Sequence, residues 1–460
     1  MKKEKEYIAT RNACKLCTPL GACLAYKGIK GCVPLIHGSQ GCSTYIRRYM
    51  ISHFREPVDI ASSNFNEETT IFGGRQNCHQ AVKNIIKQYN PEVIAATTTC
   101  LSETIGDDVG KYLKEYKAEF PDAPEFIHAS TPSYQGTHAD GFHEAIVASV
   151  RSLAKRTKKD SHINLFPGMY SPADLRYLKR VMDNYKTNYV LLPDYSETLD
   201  GSSWSEYKRI PDGGTSIEAI ASTADAQVSI EFGKIFHKAG GSSRDKSGRS
   251  KETAASYLEE SFGVPAIRLP WPVGVEATDL FFKTLSEVTG IEKPDEYAKE
   301  RGRLIDAYAD GHKYVFGTKA VIYGEEDLVL AIYGFLNEIG VDTILIASGG
   351  KSGALATEIE NLIRGEMKMP EIIENADFEE IAARSRELKP DIMIGHSKGY
   401  YIARELGIPL VRIGFPIHDR LGGQRVLHIG YEGTNDLFEK IVNAIIEFNQ
   451  NHSEVGYKYM

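Results

Sequence analysis

Short apolar runs rich in β-branched residues recur along this chain of 460 residues, and turn residues bound each run. Runs that are apolar at almost every position predict strands covered on both faces, as in parallel sheets. Helical patterns lie between them, for example at 80–88, 173–185 and 437–448. This alternation predicts repeated βαβ units, and therefore an α/β fold of doubly wound, Rossmann-like domains with mostly parallel sheets. The predicted strands are 93–98, 163–166, 189–192, 228–232, 320–323, 343–347, 392–394 and 410–413.

Two breaks divide this pattern into three domains. At about 150 residues per domain, the length of the chain suggests about three of them. A basic polar segment at 155–160 (KRTKKD) forms the first break, and a new strand begins after the second break at 311–318. The predicted domains are therefore 1–157, which contains every cysteine, 158–312 and 313–460.

Composition and hydropathy exclude several classes of protein. A formal net charge of −8 gives no support for nucleic-acid binding, which favours a basic face. No stretch approaches the roughly 20 apolar residues that a membrane span requires. The charged start MKKEKEY is not followed by an apolar run, so we expect no signal peptide. We therefore expect a soluble cytoplasmic protein with reduced thiols and neither a nucleic-acid nor a membrane partner.

The cysteines are confined to the first 100 residues, and their odd number argues against a disulfide framework. Thiolate sulfur is the preferred ligand of iron–sulfur clusters and soft metals. Small and glycine residues near several of these cysteines would let the backbone approach a bulky inorganic cluster. Cys100 also follows a predicted strand, and parallel sheets bind ligands at such strand ends. The seven are Cys14, Cys17, Cys23, Cys32, Cys42, Cys78 and Cys100.

The residues alone leave other interpretations open. Cys14 and Cys17 form a CxxC pair, which is compatible with zinc or with a redox pair. A zinc site usually needs a second close pair, and the sequence has none. A thioredoxin-like motif would follow a strand, and no convincing strand precedes Cys14. A buried structural role remains the commonest fate of a lone cysteine such as Cys100.

Motifs along nearly the whole chain resemble those of the β-type subunits of nitrogenase component 1. They include CTPLGA, HGSQGC, HFREPV, TTTCLSETIGDD, TPSYQGTH, ERGRLIDAYADGH and GFPIHDR. The intervals of 25 residues from Cys17 to Cys42 and 58 residues from Cys42 to Cys100 agree with the family pattern. The resemblance implies the fold of nitrogenase component 1.

The resemblance also implies a ligand set and partners. Cys17, Cys42 and Cys100 would ligate half of an interfacial iron–sulfur cluster, either an eight-iron P-type cluster or a 4Fe–4S cluster. Ser133 matches the serine that can bind an iron of the oxidised P-cluster. Three thiolates cannot complete even a four-iron cluster, so the missing ligands must come from another chain. The family supplies that chain as an α-type subunit in an α2β2 heterotetramer, which an iron-protein reductase with ATP provides with electrons.

The remaining cysteines have no role in the family pattern. Cys23, Cys32 and Cys78 are expected to pack as small hydrophobes. Cys14 lies three positions from Cys17, so it either packs in the same way or serves as an alternative ligand.

A second metal site is implied between β-type subunits. The resemblance assigns a divalent cation there to Glu56, Asp306, Asp310 and the carbonyl group of Arg55. Asp306 and Asp310 are four residues apart on a predicted helix, so both carboxylates project from one face. Such a pair is either a solvated face or bridged by a cation.

Two other motifs favour structural roles over a catalytic or ligand-binding site. The segment 344–353 (ILIASGGKSG) ends like a P-loop, but Leu345 stands where that motif requires glycine, so we expect no nucleotide hydrolysis by this chain. His37, His53 and His138 lie in family-like motifs, where isolated histidines are more often hydrogen-bonded structural residues than ligands.

Two functions fit the sequence, and neither gives this chain catalytic residues of its own. Oxidoreductase activity would belong to a complex with the α-type subunit and the reductase. The segments CSTYIRRYM and GFPIHDRLGGQR slightly favour the scaffold on which the iron–molybdenum cofactor of nitrogen fixation is built. The alternative is a catalytic β subunit of a nitrogenase or nitrogenase-like reductase, which relays electrons through a P-type cluster to the cofactor in the α subunit. Cys17, Cys42, Cys100 and Ser133 together favour this alternative.

Overall fold

Three parallel β-sheets follow one another along the residues that the computed structural model describes, 12–158, 160–238, 251–365 and 367–454. The central strands of the first two sheets are mostly apolar and are buried along their length, as expected for strands covered on both faces. The predicted α/β fold with parallel sheets is confirmed. Each sheet lies within one of the three predicted domains, whose boundaries stay predictions.

The first sheet has the strand order β2-β1-β3-β4. Its elements are α1 (Thr18–Tyr26), β1 (Cys32–His37), α2 (Gln40–Phe54), β2 (Ala61–Ser62), α3 (Glu67–Phe72), α4 (Arg75–Tyr89), β3 (Val93–Thr98), α5 (Cys100–Ile105), α6 (Val109–Glu119), β4 (Glu125–Ala129) and α7 (His138–Leu153). Strands β1 and β3 pair in parallel with His37 opposite Thr98. The loops that follow these two strands therefore leave the same edge of the sheet.

Helix α1 is buried along its whole length because it packs directly on α7. Two glycines allow this approach. A Cβ atom on Gly21 would lie 1.7 Å from the carbonyl oxygen of His138, and one on Gly141 would lie 1.9 Å from that of Thr18. The close packing fixes the start of α1, and with it Cys17, against the first sheet.

The second sheet has the order β6-β5-β7-β8. Its elements are β5 (Ile163–Phe166), α8 (Pro172–Asn184), β6 (Tyr189–Leu191), α9 (Ile217–Ser222), β7 (Val228–Phe232), α10 (Ala254–Phe262), β8 (Ala266–Leu269), α11 (Val275–Thr289) and α12 (Asp295–Val315).

The third sheet has the order β11-β10-β9-β12-β13, so the chain extends from β9 to one side and then returns to build the other side. Its elements are β9 (Lys319–Gly324), α13 (Glu326–Glu338), β10 (Asp342–Ser348), α14 (Leu355–Glu360), β11 (Glu371–Ile373), α15 (Phe378–Leu388), β12 (Ile392–Gly395), α16 (Tyr400–Leu406), β13 (Leu410–Arg412) and α17 (Gly430–His452). Within the described part of the chain, each helix is too short or too polar to cross a membrane.

The strands that the sequence did not predict are short or lie at sheet edges, apart from β1. Strand β1 is fully buried, but Cys32 and Pro34 interrupt its β-branched pattern. Strand β4 begins with the exposed Glu125 and lies at the edge of its sheet. The other strands missed are β2, β8 and β11, whereas the predictions 93–98, 163–166 and 228–232 coincide with β3, β5 and β7.

Many contacts join the region of the third sheet to the rest of the chain, among them a buried carboxylate on α8 and a backbone pairing before α1. Asp174 of α8 is fully buried and accepts hydrogen bonds from the backbone N–H of His428 at 2.7 Å and from its Nδ1 at 2.8 Å. The segment before α1 pairs with the third sheet region, where Ala13 forms an antiparallel bridge with Asp377 and the N–H of Cys14 donates to the carbonyl of Ala376 at 3.0 Å.

Candidate metal centre

Three cysteines lie at the starts of helices beside the first sheet. Cys17 is the N-cap residue of α1, Cys42 lies in the first turn of α2, and Cys100 is the first residue of α5. Helix α2 follows β1 and helix α5 follows β3, so Cys42 and Cys100 leave neighbouring strand ends. The side chains of Cys17 and Cys42 are exposed and that of Cys100 is partly exposed. All three thiols are therefore accessible to a group that lies outside this chain.

Threonine side chains hold the strand ends together behind these cysteines. The hydroxyl of Thr99 donates to the carbonyl of His37 at 3.2 Å, which joins the ends of β3 and β1. The backbone N–H of Thr131 donates to the Thr98 hydroxyl at 2.7 Å, and the Thr131 hydroxyl donates to the Thr98 carbonyl at 2.8 Å. Glu103 of α5 accepts from the hydroxyls of Thr98 and Ser130, each at 2.5 Å. The loops after β1, β3 and β4 are thus fixed to one another.

Ser133 lies in the turn after β4 and is partly exposed. Its hydroxyl has no hydrogen-bond partner among the described residues. The hydroxyl of Thr18 donates to the carbonyl of Gln135 at 3.2 Å and to that of Pro132 at 3.5 Å, which places the neighbouring Cys17 beside this turn. The four residues that the sequence analysis grouped as cluster ligands therefore surround one edge of the first sheet.

The other four cysteines are buried. Burial raises the pKa of the Cys14, Cys32 and Cys78 thiols to about 12, and it raises that of Cys23 as well. Cys14 belongs to the core of the third sheet, where its sulfur lies 3.9 Å from Nε2 of His396. Cys23, Cys32 and Cys78 pack as the sequence analysis expected. The environment of Cys14 favours packing over the alternative role as a ligand.

Alkylation should separate these two groups of cysteines. Because thiolate is the nucleophile, buried thiols with raised pKa values should react with iodoacetamide at least about 100-fold more slowly than exposed ones. Brief treatment of the folded chain at pH 8 should label Cys17 and Cys42 first and Cys100 next. Mass spectrometry of the peptides measures this order. Equally rapid labelling of Cys14 would contradict its placement.

The three exposed thiols fit a polynuclear cluster better than a single ion. Among the residues described, no three His, Cys, Asp or Glu side chains converge closely enough to hold one metal ion. Thiols spread along a sheet edge suit several irons, each of which takes sulfur ligands. The N–H groups at the starts of α1 and α2 favour negative charge nearby. The donor set therefore fits one side of an iron–sulfur cluster and leaves its other side open.

A lysine in the turn that follows β12 of the third sheet lies near this edge. The Nζ of Lys398 donates to the carbonyl of Ala13 at 3.1 Å and lies 6.0 Å from the centre of the Tyr49 ring on α2. Burial lowers the pKa of this lysine, while the thiols of Cys14 and Cys17 act to raise it. The sequence gives no sign of this role for Lys398, because 381 positions separate it from Cys17 and no motif marks it.

The residues assigned to the divalent cation do not converge within this chain. Asp306 and Asp310 are exposed on α12. Glu56 follows α2, and burial and Asp200 raise the pKa of its carboxyl group. Because the resemblance implies a cation between two β-type subunits, this site stays a prediction.

The three histidines make structural hydrogen bonds. The Nδ1 of His53 accepts from the N–H of Ile417 at 2.9 Å, and that of His138 accepts from the N–H of Leu16 at 3.3 Å. Burial lowers the pKa of His53 to about 3 and that of His138 to about 4. Nε2 of His37 contacts Asp107 at 2.9 Å.

Large apolar side chains are exposed around the three thiols. Such a surface marks a protein interface more often than it remains in water. The chain presents an aromatic or aliphatic group on α2, α3, α5 and the turn that contains Ser133. The exposed fractions are 64% for Tyr45, 73% for Ile71, 82% for Phe72, 37% for Leu101 and 54% for Tyr134.

Comparison with known proteins gives consistent matches over nearly the whole chain. Residues 17–446 match the family model for nitrogenase component 1 type oxidoreductases. The chain is 37% identical to the nitrogenase molybdenum-iron protein beta chain of Clostridium pasteurianum, over 95% of this chain and 93% of the relative. It is 34% identical to the nitrogenase vanadium-iron protein beta chain of Trichormus variabilis, over 96% and 95%. The solved structure described as nitrogenase Cp1 at pH 6.5 superposes with a TM-score of 0.93 at 36% identity, covering 100% of this chain and 99% of that one.

Proposed function

Because this chain belongs to the nitrogenase component 1 type oxidoreductase family as a β-type subunit, we propose that it is a catalytic β chain that relays electrons to an α-type partner. The segments CSTYIRRYM and GFPIHDRLGGQR slightly favour the cofactor-assembly scaffold instead. The comparisons support the catalytic alternative better, since the relatives are molybdenum-iron and vanadium-iron β chains. The single observation on which the proposal rests is the placement of Cys17, Cys42, Cys100 and the Ser133 turn at one open edge of the first sheet.

Each of these residues has a defined task in the proposed site. The thiolates of Cys17, Cys42 and Cys100 bind one half of a P-type cluster, which supplies one-electron transfer when it is bound. The threonine contacts behind them hold the loops in fixed positions, so the thiolates need little rearrangement. The hydroxyl of Ser133 has no partner among the described residues and can serve as an additional oxygen ligand.

The open side of the site requires a second protein. Three thiolates leave a cluster without its full ligand set, and the apolar side chains around them exclude water only when a partner covers them. We assign this surface to the α-type subunit of an α2β2 heterotetramer. A separate iron-protein reductase with ATP supplies single electrons to the complex. Asp306, Asp310 and Glu56 remain the proposed ligands of a divalent cation between two copies of this chain.

Co-expression with the α-type subunit tests the proposal. The isolated chain, purified without oxygen, should contain little iron, whereas the αβ pair should contain at least about four irons more than a pair whose β chain lacks all three thiols. Iron analysis and electron paramagnetic resonance of the two samples measure this difference. A stable, fully occupied cluster on the isolated chain would contradict the shared site.

Turnover separates the relay from the scaffold. Given reductase, ATP and a low-potential donor, the complex should reduce substrate for many cycles and should not activate cofactor-free component 1 by transfer. Weak reduction together with a transferable iron–sulfur precursor would instead support the scaffold.

A further inference from the structure

The carboxylate of Asp107 connects three segments around the candidate site. Asp107 lies two residues beyond α5, the helix that begins at Cys100, and its side chain is 4% exposed. It accepts from Nε2 of His37 at 2.9 Å, from the N–H of Gly74 at 3.0 and 3.2 Å, and from the hydroxyl of Tyr112 at 3.0 Å. Within the described part of the chain, no lysine or arginine pairs with it. Hydrogen bonds alone stabilise this buried charge.

His37 joins this carboxylate to the loop that contains Cys42. It is the last residue of β1, its side chain is 0% exposed, and Cys42 follows five positions later. A carboxylate only accepts hydrogen bonds, so Nε2 must carry the hydrogen. Burial lowers the pKa of His37, although Asp107 acts to raise it, and its Nδ1 has no partner in the described residues. Its one polar contact through the ring is therefore directed at Asp107.

Gly74 shows how tightly the third segment approaches. It lies just after α3, and a Cβ atom there would be 2.5 Å from Oδ2 of Asp107 and 2.7 Å from the ring of Phe65. The absence of a side chain allows the N–H of Gly74 to reach both carboxylate oxygens. The loops after β1, α3 and α5 thus converge on two oxygen atoms.

We propose that Asp107, through His37, is a positioning residue that sets the relative placement of the Cys42 and Cys100 thiolates. The inference rests on the proposed function, because those thiolates are the proposed cluster ligands. Groups around a metal centre orient its ligands and tune its reduction potential. The hydroxyl of Thr99 also joins the two strand ends, but it contacts the backbone carbonyl of His37, so replacing the His37 ring leaves that contact in place. Loss of the Asp107–His37 contact should therefore change the cluster without removing a ligand.

Two pairs of variants distinguish the loss of the hydrogen bond between Asp107 and His37 from the replacement of either side chain as such. D107A removes the carboxylate, whereas D107N keeps an acceptor for Gly74 and Tyr112 and can donate to His37 after that ring changes tautomer. H37L removes the ring contact, whereas H37Q keeps an amide donor. D108N is the matched control, because Asp108 is exposed and caps α6 by accepting from the N–H of Lys111 at 2.9 Å, which asparagine also does.

The measurements are made on the αβ complex that binds its cluster. D107A and H37L should shift the midpoint potential and change the electron paramagnetic resonance line shape, while D107N, H37Q and D108N should stay close to the wild type. H37L leaves three of the hydrogen bonds to Asp107 in place, so it tests the inference even where D107A does not assemble. A potential and line shape in H37L identical to those of the wild type would overturn the inference. So would an equal change in D108N.

The wild-type sample distinguishes this inference from the proposed function. A wild-type complex without a cluster on these thiols would contradict the proposed function and the inference with it. A wild-type complex with the cluster, together with an unchanged H37L, would contradict the inference alone.

Discussion

Replacing Cys100 with alanine should remove the native interfacial cluster and lower electron-relay activity by more than about 100-fold, since losing even a group outside the ligand set costs 10- to 100-fold. Cys100 is partly exposed at the start of α5 and lies outside the buried cores. The three sheets should therefore keep their stability. Iron analysis, electron paramagnetic resonance and thermal unfolding of the co-expressed complex measure the three effects.

Cys78 provides the matched control in the same part of the chain. It lies on α4, fully buried against the first sheet, and it is at least 22 positions in sequence from each of the three proposed ligands. C78A should destabilise the fold by about 1 kcal/mol through a small cavity and leave the iron content unchanged. If C100A kept the iron content and spectrum of the wild type, Cys100 would be a packing residue.

Replacing Asp174 with alanine should lower the free energy of unfolding by about 3–5 kcal/mol, because each buried donor left without its partner costs about 1–3 kcal/mol. Its carboxylate is the acceptor for the ring and backbone N–H of His428 and for the N–H of Ser171 at 2.9 Å. Alanine leaves these buried donors unpaired and loosens α8 from the segment before α17. Chemical denaturation of the wild type and the variant measures the loss.

The exposed Asp183 on the same helix is the control for this prediction. D183A should change stability by less than about 1 kcal/mol. Equal losses from the two variants would show that the burial of Asp174 and its contacts to His428 contribute nothing of their own.

The Asp174 effect should depend on pH in a defined direction. Burial raises the pKa of Asp174, but His428 and the hydrogen bonds outweigh it and leave the pKa below the usual value of 3.8. A carboxyl group whose pKa is lower in the folded state stabilises the fold at neutral pH and loses that contribution as pH falls through the folded pKa. The difference between the wild type and D174A should therefore be largest near neutral pH and shrink below 3.8.

The sequence predicts the parts of this fold that local chemistry determines. Buried central strands such as β3 and β5 consist mostly of apolar residues, so their positions follow from the residues themselves. The placement of Cys100 after β3 follows for the same reason. Strand β1 is not predicted from the sequence, because Cys32 and Pro34 are more typical of loops. Both residues are buried in the strand.

Contacts between distant parts of the chain limit what the sequence predicts about the site. Asp174 and His428 are 254 positions apart in the sequence, and no motif near either residue predicts their contact. The CxxC spacing suggests that Cys14 and Cys17 act together, but the fold directs Cys14 into the third sheet's core and leaves Cys17 exposed. The three proposed ligands therefore come from the family resemblance, and the CxxC spacing alone does not show that Cys14 and Cys17 lie in different environments.

The short connection between Cys14 and Cys17 gives the proposed site two independent supports. Cys14 is fastened to the third sheet region, and three residues of extended chain span at most about 11 Å. Cys42 and Cys100 are fastened to the first sheet instead. Rotation of the third sheet relative to the first would therefore strain the short segment between Cys14 and Cys17, because α7 holds the start of α1 against the first sheet while Cys14 stays with the third. With only two residues between these anchors, the relative placement of the two sheets is restricted directly beside a proposed ligand.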